Sequence, residues 1–378
     1  MAVDLLARCV RGLEWVAAAE VSELPGVAAV TVAPREVSFR LPALEQAVLD
    51  LRTVDDVFVA AGSVPGIGPR RDALAGLATG RIGAVLAAID WVRTVRPLQG
   101  RPSYDVVASL AGRHTYNRYA AEDALAQALA LRLGRYLSHD PDRRSAEPER
   151  PELTIRMMVR DSVASLAVRV AAVPLHRRGY KQRTGPATLH PPVAAAMAAL
   201  AGPGRLLDPC CGDGTIAIEF ARMCPGHAVV AADLSAGRAA NAVANAAAAG
   251  TPIAVAVADA AAPPVTEIDR IVTNPPWSRS VDLAGAAAND PAAMWQVLGE
   301  LLDRDGSVVV IGAAEYGVAA RLRTAGLRVG IDQPIRLAGR VSNIVLAAPP
   351  GGSAAPTGRL DRWRRTARAA GVLTDTGF

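Results

Sequence analysis

The stretch LLDPCCGDGTIAIEFA, residues 206–221, joins a short apolar run, an acidic residue, two closely spaced glycines and a helical pattern. The apolar run predicts a buried strand that ends at Asp208. Gly212 and Gly214 allow a tight turn, because glycine adopts backbone conformations that other residues avoid. A helix starting near Thr215 would offer unpaired N–H groups to a polar or anionic ligand. The stretch therefore predicts a ligand-binding turn between a strand and a helix.

The chain after residue 193 alternates between apolar runs and helical patterns. Apolar runs end near Asp233, Asp259 and Asn274, and the helical patterns TIAIEFARM and AGRAANAVANAAAA lie between runs. Such alternation predicts a parallel, doubly wound sheet that binds ligands at the carboxyl ends of its strands.

This pattern resembles the S-adenosylmethionine loop of class I methyltransferases, and the resemblance implies S-adenosyl-L-methionine as the cofactor. Asp208 would face the methionine amine, while Asp233 and Asp259, at steps of 25 and 26 residues, would accept from ribose hydroxyls and the adenine amino group. Another nucleotide-binding loop or a structural turn is the alternative. The implied cofactor-binding residues are Asp208, Pro209, Cys210, Gly212, Gly214, Thr215, Asp233, Leu234, Asp259 and Ala260.

The run IVTNPPW, residues 271–277, ends the fourth of these strands at Asn274. Two adjacent prolines cannot continue a strand or a helix, since each fixes φ and lacks a backbone donor. If the carbonyls of Asn274 and Pro275 each accept an N–H of an exocyclic amine, its lone pair can point at a methyl donor. Trp277 offers a stacking surface, worth roughly 1–3 kcal/mol for a base.

The string Asn274-Pro275-Pro276-Trp277 resembles the NPPY-type motif of amino-methyltransferases that act on adenine, guanine or glutamine side chains. The resemblance makes these four residues the candidate catalytic site. Trp277 departs from the usual Tyr or Phe; it keeps the aromatic face and leaves the shape of the pocket open. A structural Asn-Pro-Pro turn is the alternative.

Positive charge is concentrated in two parts of the chain. Residues 1–150 carry 18 basic and 18 acidic side chains, whereas residues 151–200 carry 7 against 2 and the tail from 351 carries 5 against 2. A polyanionic partner would be met in those two parts. A solvated strand and linker is the alternative for the first. The candidate RNA-binding residues are His176, Arg177, Arg178, Lys181 and Arg183.

The segment VPLHRRGYKQRTGPATLHPPVAAAMAAL, residues 173–200, resembles the connection between the THUMP and catalytic domains of RNA guanine 2-amino methyltransferases. ARCVRGLEWVAAAEV and LRTVDDVFV are similar to N-terminal segments of that TrmN-like family. The resemblance implies an α/β fold, whose Rossmann-like catalytic domain has a parallel sheet with one antiparallel strand near an edge. The implied domains are a ferredoxin-like subdomain (1–62), a THUMP domain (63–172), a linker (173–192), the methyltransferase domain (193–350) and a basic tail (351–378).

The resemblance implies methylation of the exocyclic 2-amino group of a guanosine in the tRNA acceptor stem. The base would leave its stack at a cost of a few kcal/mol, which phosphate contacts would offset. Three alternatives are a ribosomal RNA guanine, a small-molecule amine or guanidine, and a non-catalytic RNA-binding role. We expect a monomer, with an oligomer left open.

Four cysteines, Cys9, Cys210, Cys211 and Cys224, make no disulfide framework, and no CxxC pair offers zinc-ligand spacing. We therefore expect no metal. The N-terminus lacks the uninterrupted apolar stretch of a signal peptide, and no segment approaches the roughly 20 apolar residues of a membrane span. These features favour a reducing, cytoplasmic setting without a membrane partner.

Overall fold

The computed structural model describes residues 2–139, 151–276, 285, 290, 292–337 and 339–373. Trp277 lies outside these described residues. The chain builds two β-sheets, one from each half, and the segment between residues 170 and 190 joins them.

The N-terminal half forms a sheet with the strand order β2-β3-β1-β4-β8-β7-β5-β6. Strand β4 pairs with both β1 and β8, so one sheet continues across the predicted domain boundary between residues 62 and 63. The strands are β1 (Val3–Arg8), β2 (Ala28–Ala33), β3 (Glu36–Leu41), β4 (Asp56–Pro65), β5 (Ser103–Leu110), β6 (Ser138–His139), β7 (Leu153–Arg160) and β8 (Val163–Arg169). The helices are α1 (Glu14–Val21), α2 (Gly76–Thr79), α3 (Ala84–Val95) and α4 (Arg118–Leu133), with 3₁₀ turns at Gln46–Asp50 and Arg71–Ala75.

The two faces of this sheet differ in character. Along β1, Val3, Leu5 and Ala7 are buried in the main core. On the other face of the same strand, Asp4 is exposed and Arg8 is half-buried. Successive side chains of a strand point to opposite faces, so one face holds the apolar core and the other is polar. We call the second one the polar face.

The C-terminal half forms the predicted Rossmann-like sheet, with the order β11-β10-β9-β12-β13-β15-β14. Pairs among β9 to β13 are parallel, and β15 runs antiparallel to β13 and β14, which confirms the expected antiparallel strand. The strands are β9 (Leu206–Asp208), β10 (Val229–Asp233), β11 (Ala254–Val257), β12 (Ile268–Thr273), β13 (Leu302–Ala313), β14 (Arg328–Leu337) and β15 (Arg340–Ala348). The helices are α5 (Pro191–Ala201), α6 (Thr215–Met223), α7 (Ala236–Ala249), α8 (Ala293–Leu301) and α9 (Val318–Thr324).

The basic tail contains helix α10 (Gly358–Ala369), which packs against α1 of the N-terminal half. Trp363 and Ala367 are buried, and the Arg364 guanidinium carbon lies 5.9 Å from the centre of the Trp15 ring. The tail thus returns to the first half of the chain through an apolar seam, with its remaining arginines at the surface.

Among the described residues, no single helix is long and apolar enough to cross a membrane. The segments Arg71–Thr79 and Ala84–Val95 reach the length and apolar composition of a membrane span only when they are taken together, and the chain bends by 71° between them.

Candidate active site

Asp208 ends strand β9 with its side chain completely buried. Its Oδ1 accepts from the backbone N–H of Cys210 at 3.3 Å, whereas Oδ2 has no hydrogen-bond partner within the described residues. Burial raises the pKa of Asp208 to about 8, although the nearby Thr273 hydroxyl and the Cys210 N–H oppose the rise. A buried carboxylate is stabilised by a cation that also donates hydrogen bonds. The methionine ammonium of S-adenosylmethionine is such a group, so this site fits the cofactor.

Gly212 and Gly214 both adopt left-handed φ values, +53° and +82°, and they do different work. A Cβ atom on Gly214 would lie 3.0 Å from the Cβ of Ala242, so this glycine lets the turn pack against α7. A Cβ atom on Gly212 would have no atom of the described residues within 4 Å. The open space thus lies at Gly212, where a ligand can approach the backbone.

Asp233 connects the end of β10 to the glycine-rich turn. Its Oδ2 accepts from the Gly212 N–H and its Oδ1 from the Ser235 N–H, both at 2.9 Å. Each carboxylate oxygen can accept a second hydrogen bond, so a role toward ribose hydroxyls is compatible with these contacts. Asp233 therefore holds the turn in shape at the position predicted for the cofactor.

Asp259 lies two residues beyond β11, half-buried, and its Oδ1 accepts from the Ala261 N–H at 2.9 Å. The neighbouring apolar side chains Leu234 and Val257 are 45% and 59% exposed, which leaves an apolar surface beside the carboxylate. Gly285 contacts this surface: a Cβ there would lie 2.1 Å from Asp259 Oδ2. Apolar surface beside an acceptor suits an adenine ring with its amino group.

Asn274 follows β12 directly, half-buried, with Pro275 buried behind it. The register pairs Ile271 with Leu207, so the end of β12 lies beside the end of β9 and Asp208. The hydroxyl of Thr273 is buried and lacks a hydrogen-bond partner in the described part of the chain. The structure therefore brings the predicted catalytic asparagine and the predicted cofactor carboxylate to one sheet edge. The other cofactor candidates lie there too, with Pro209 and Thr215 buried and Cys210 and Ala260 half-buried.

The segment from residue 178 to 190 is bound to the catalytic half by side chains that sequence reasoning missed. Asn245 Oδ1 accepts from the backbone N–H groups of Gln182 and Arg183 at 3.1 and 3.0 Å. Buried Asp213, in the glycine-rich turn, accepts from the Gly185 N–H at 2.7 Å. The predicted linker is thus part of the wall around the glycine-rich turn, the predicted cofactor turn.

Glu219 of α6 joins three parts of the chain and is completely buried. Its carboxylate accepts from Arg52 of the N-terminal half at 2.6 Å. It also accepts from Arg178 at 3.1 Å and from the Tyr180 hydroxyl at 2.7 Å. Burial, together with the charge of Glu219, raises the pKa of Tyr180. We call these four side chains, Arg52, Arg178, Tyr180 and Glu219, the interdomain joint.

The five residues predicted to contact RNA divide into two groups. Arg178 belongs to the joint, His176 contacts the Asp55 carbonyl through Nδ1 at 3.2 Å, and Lys181 donates to the Leu189 carbonyl at 3.2 Å. Burial lowers the pKa of both His176 and Lys181. Arg177 and Arg183 are exposed. The RNA-contact prediction therefore depends on these last two side chains.

Residues 178–336 match the model of a family described as an RMKL-like methyltransferase domain. This stretch contains the cofactor turn and Asn274. The stretch has a Rossmann-like methyltransferase fold, with S-adenosylmethionine as the cofactor. The predictions of a Rossmann-like fold and of this cofactor are confirmed.

Three known proteins are similar to the chain. TrmN from Thermus thermophilus is 26% identical with a TM-score of 0.71, over 92% of this chain and 99% of that one. A methyltransferase solved with SAH is 17% identical with a TM-score of 0.66, over 92% and 98%, and shows the fold alone. Ribosomal RNA large subunit methyltransferase K/L from Marinomonas sp. (strain MWYL1) is 36% identical over 88 residues. That match spans 22% of this chain and only 12% of the relative.

Proposed function

We propose that the protein transfers a methyl group to the exocyclic 2-amino group of a guanosine in RNA, with the tRNA acceptor stem as the favoured target. The observation that carries the proposal is the position of Asn274-Pro275, directly after β12 and beside buried Asp208 with its unpartnered oxygen. Asn274 then supplies acceptors for an amine at the edge where the methyl donor binds.

The chain's residues contribute positioning and charge stabilisation. When bound, S-adenosylmethionine supplies an electrophilic methyl group on a sulfonium sulfur. Asp208 would hold the ammonium end of the cofactor, and the backbone at Gly212 would leave room for it. The Asn274 side-chain carbonyl and the Pro275 carbonyl would each accept a hydrogen bond from the target amine and so point its nitrogen lone pair at the methyl group that the cofactor would supply. The amine proton leaves to water once the nitrogen is positively charged.

The choice of RNA rests on the extent of the similarity to TrmN. That similarity covers both halves of the chain, including the N-terminal sheet for which we propose a THUMP domain and an RNA-gripping role. The ribosomal RNA enzyme matches only a short stretch, so a ribosomal guanosine is the second candidate. A target inside a stem would be flipped into a pocket made by Asn274, Pro275, Pro276 and Trp277.

Methyl transfer to RNA tests the proposal. Purified protein would be incubated with radiolabelled methyl donor and unmodified total tRNA or ribosomal RNA, and the digested RNA analysed for labelled nucleosides. We expect 2-methylguanosine from tRNA, and a loss of at least about 100-fold in rate for Asn274→Ala, since an acceptor aimed at the reacting amine is removed. Retained cofactor binding in the variant shows that its fold is intact.

Other labelled products would redirect the proposal. Label only in ribosomal RNA would replace the tRNA target. No label in any RNA, with the cofactor bound, would contradict the RNA substrate and favour a small-molecule amine or guanidine. Full activity of Asn274→Ala would remove that residue from the catalytic site.

A further inference from the structure

The polar face of the N-terminal sheet gathers four arginines. Arg8 of β1 pairs in register with Glu36 of β3 and with Asp56 of β4, which places all three on one face. We call Arg8, Arg35, Arg156 and Arg169 the arginine cluster; Arg35 lies in the turn before β3.

The Phe58 ring forms the floor of the cluster. Phe58 pairs in register with Arg169, and the guanidinium carbons of Arg156 and Arg169 each lie 5.7 Å from the ring centre. A guanidinium within about 6 Å of an aromatic ring centre is attracted to the face of the ring. The ring therefore orients two guanidinium groups at the centre of the polar face.

Arg35 occupies a backbone conformation that an arginine rarely adopts, with a φ of +65°. The turn Ala33-Pro34-Arg35-Glu36 places it at the third position, where glycine or asparagine is usual. Buried Glu14 accepts from the Arg35 N–H at 2.8 Å, and the Arg35 carbonyl accepts from the Cys9 N–H at 3.1 Å. The backbone is thus clamped from both sides while the side chain is exposed. Strain of this kind costs about 1–2 kcal/mol and points to a function for the side chain.

The cluster holds more positive than negative charge. Glu36 and Asp56 form ion pairs with Arg8 and Arg169. Within the described residues, no acidic side chain forms an ion pair with Arg35 or Arg156, and Arg156 donates to the Ser109 hydroxyl at 3.1 Å. Burial lowers the pKa of Arg156 to about 10, and the positive charges of Arg8 and Arg35 add to the fall. An anion would relieve this repulsion.

The cluster lies at the end of the sheet nearest the catalytic half. The Arg8 carbonyl accepts from the Asp55 N–H at 2.6 Å, and the Asp55 carbonyl accepts from the His176 N–H at 3.0 Å. Exposed Arg177 follows immediately. From Arg177 the chain continues through Arg178, in the interdomain joint, to Gly185, bound at the cofactor turn. A polyanionic strand lying on the cluster could therefore continue past Arg177 toward the active site.

We propose that the arginine cluster binds phosphate groups of the substrate RNA next to the methylated nucleotide, with Arg35 as the outermost contact. This inference rests on the proposed RNA methyltransferase activity. It also gives the neutral block of residues 1–150 a positively charged surface, because Arg8 and Arg35 of that block meet Arg156 and Arg169 on one face, where Glu36 and Asp56 form ion pairs with only two of the four arginines.

Arg35→Gly tests the proposal because it separates stability from binding. Glycine relaxes the strained turn, so we expect a melting temperature equal to or above that of the wild type. Loss of a phosphate contact should weaken binding of unmodified tRNA several-fold and reduce the slope of log Kd against log salt by about one. The KM for tRNA should rise by a similar factor, while kcat and the KM for the methyl donor stay unchanged.

Three further variants serve as controls. Arg35→Gln removes the charge and keeps the strain, so it should weaken RNA binding without raising the melting temperature; Arg35→Lys should retain the salt slope. Arg40→Gln removes an exposed arginine of the adjoining strand β3, which Asp4 already neutralises at 2.7 Å, and we expect wild-type binding.

The outcomes separate this inference from the proposed activity. If the wild type methylates RNA and Arg35→Gly and Arg35→Gln keep its KM and salt slope, the cluster is not a phosphate site. Equal weakening by Arg40→Gln would show a general charge effect, which also overturns the inference. If the wild-type protein neither methylates RNA nor binds it, the proposed activity and this inference are overturned together.

Discussion

Two carboxylates on neighbouring elements of the methyltransferase domain are completely buried, and their surroundings differ sharply. Glu219 accepts hydrogen bonds from two arginines and a tyrosine. Asp208 has one backbone N–H donor and an oxygen without a hydrogen-bond partner in the described part of the chain. Burial raises the pKa of Asp208 to about 8, because no cation among the described residues offsets the loss of water.

The comparison separates a structural carboxylate from a ligand-binding one. A buried charge whose partners are all supplied by the protein is costly to disrupt and has little remaining capacity to bind a ligand. A buried carboxylate with an unused oxygen destabilises the unliganded protein until a cationic ligand arrives. Glu219 therefore belongs to the joint between the two halves, whereas for Asp208 we propose a role in cofactor binding.

The largest effect is expected for Glu219→Gln. The substitution removes the carboxylate that pairs with Arg52 and Arg178, whose side chains are only 15% and 9% exposed, so we expect the free energy of unfolding to fall by roughly 3–5 kcal/mol. Urea denaturation followed by circular dichroism measures the change. Because Glu219 lies outside the cofactor turn, the protein that remains folded should bind the methyl donor with unchanged affinity.

A matched control is Glu267→Gln, which removes an exposed carboxylate, 3.5 Å from Arg205. An exposed pair contributes about 0–1 kcal/mol, so this variant should unfold close to the wild-type urea concentration. Equal stability of the Glu219 and Glu267 variants would contradict the structural role of Glu219.

Asp208→Asn should weaken binding of the methyl donor without lowering the stability of the unliganded protein, the reverse of the effects expected for Glu219→Gln. Losing a charge-assisted hydrogen bond to the cofactor ammonium should weaken methyl-donor binding by roughly 10- to 100-fold, measured by calorimetry. The folded-state pKa of Asp208 is raised to about 8. The stability contributed by its protonated form is therefore complete below the unfolded pKa of about 4 and is lost as the pH rises through about 8.

The direction of this pH dependence of stability can be tested without the cofactor. The unliganded Asp208→Asn protein should melt above the wild type at about pH 8.5, and the difference should shrink at about pH 5. An asparagine variant that is less stable at both pH values would mean that Asp208 is already satisfied within the protein.

The sequence predicted the catalytic half far better than the joint. Helices α6 and α7 coincide with the patterns TIAIEFARM and AGRAANAVANAAAA, and two strands end at Asp208 and Asp233 as predicted. These features are local, since glycine turns and apolar periodicity act over a few residues.

The joint depends on partners far apart in sequence, which no local pattern reports. Arg52 and Glu219 are 167 positions apart, and Arg178 stands in a charge run that suggested an RNA-facing surface. Glu219 itself reads as an ordinary polar residue of a helix. The motif LRTVDDVFV was recognised only through a resemblance, and its Arg52 and Asp55 prove to contact Glu219 and His190. The catalytic roles of Asn274, Pro275, Pro276 and Trp277 remain predictions.

The smallest effects concern the two glycines of the turn, which repeat the contrast between filled and open surroundings. Both residues have positive φ, so alanine at either position costs about 1 kcal/mol in backbone strain. Gly214→Ala also presses against Ala242 of α7 and should lose about 1 kcal/mol more by overpacking. Gly212→Ala adds a methyl group that has no neighbour within 4 Å in the part of the chain that the structure describes, so its further cost falls on the ligand. We therefore expect Gly214→Ala to be the less stable variant in urea and Gly212→Ala to be the weaker binder of S-adenosylmethionine. If both variants bound the cofactor like the wild type, the open space at Gly212 would not be the cofactor site, and the unpartnered oxygen of Asp208 would need a different ligand.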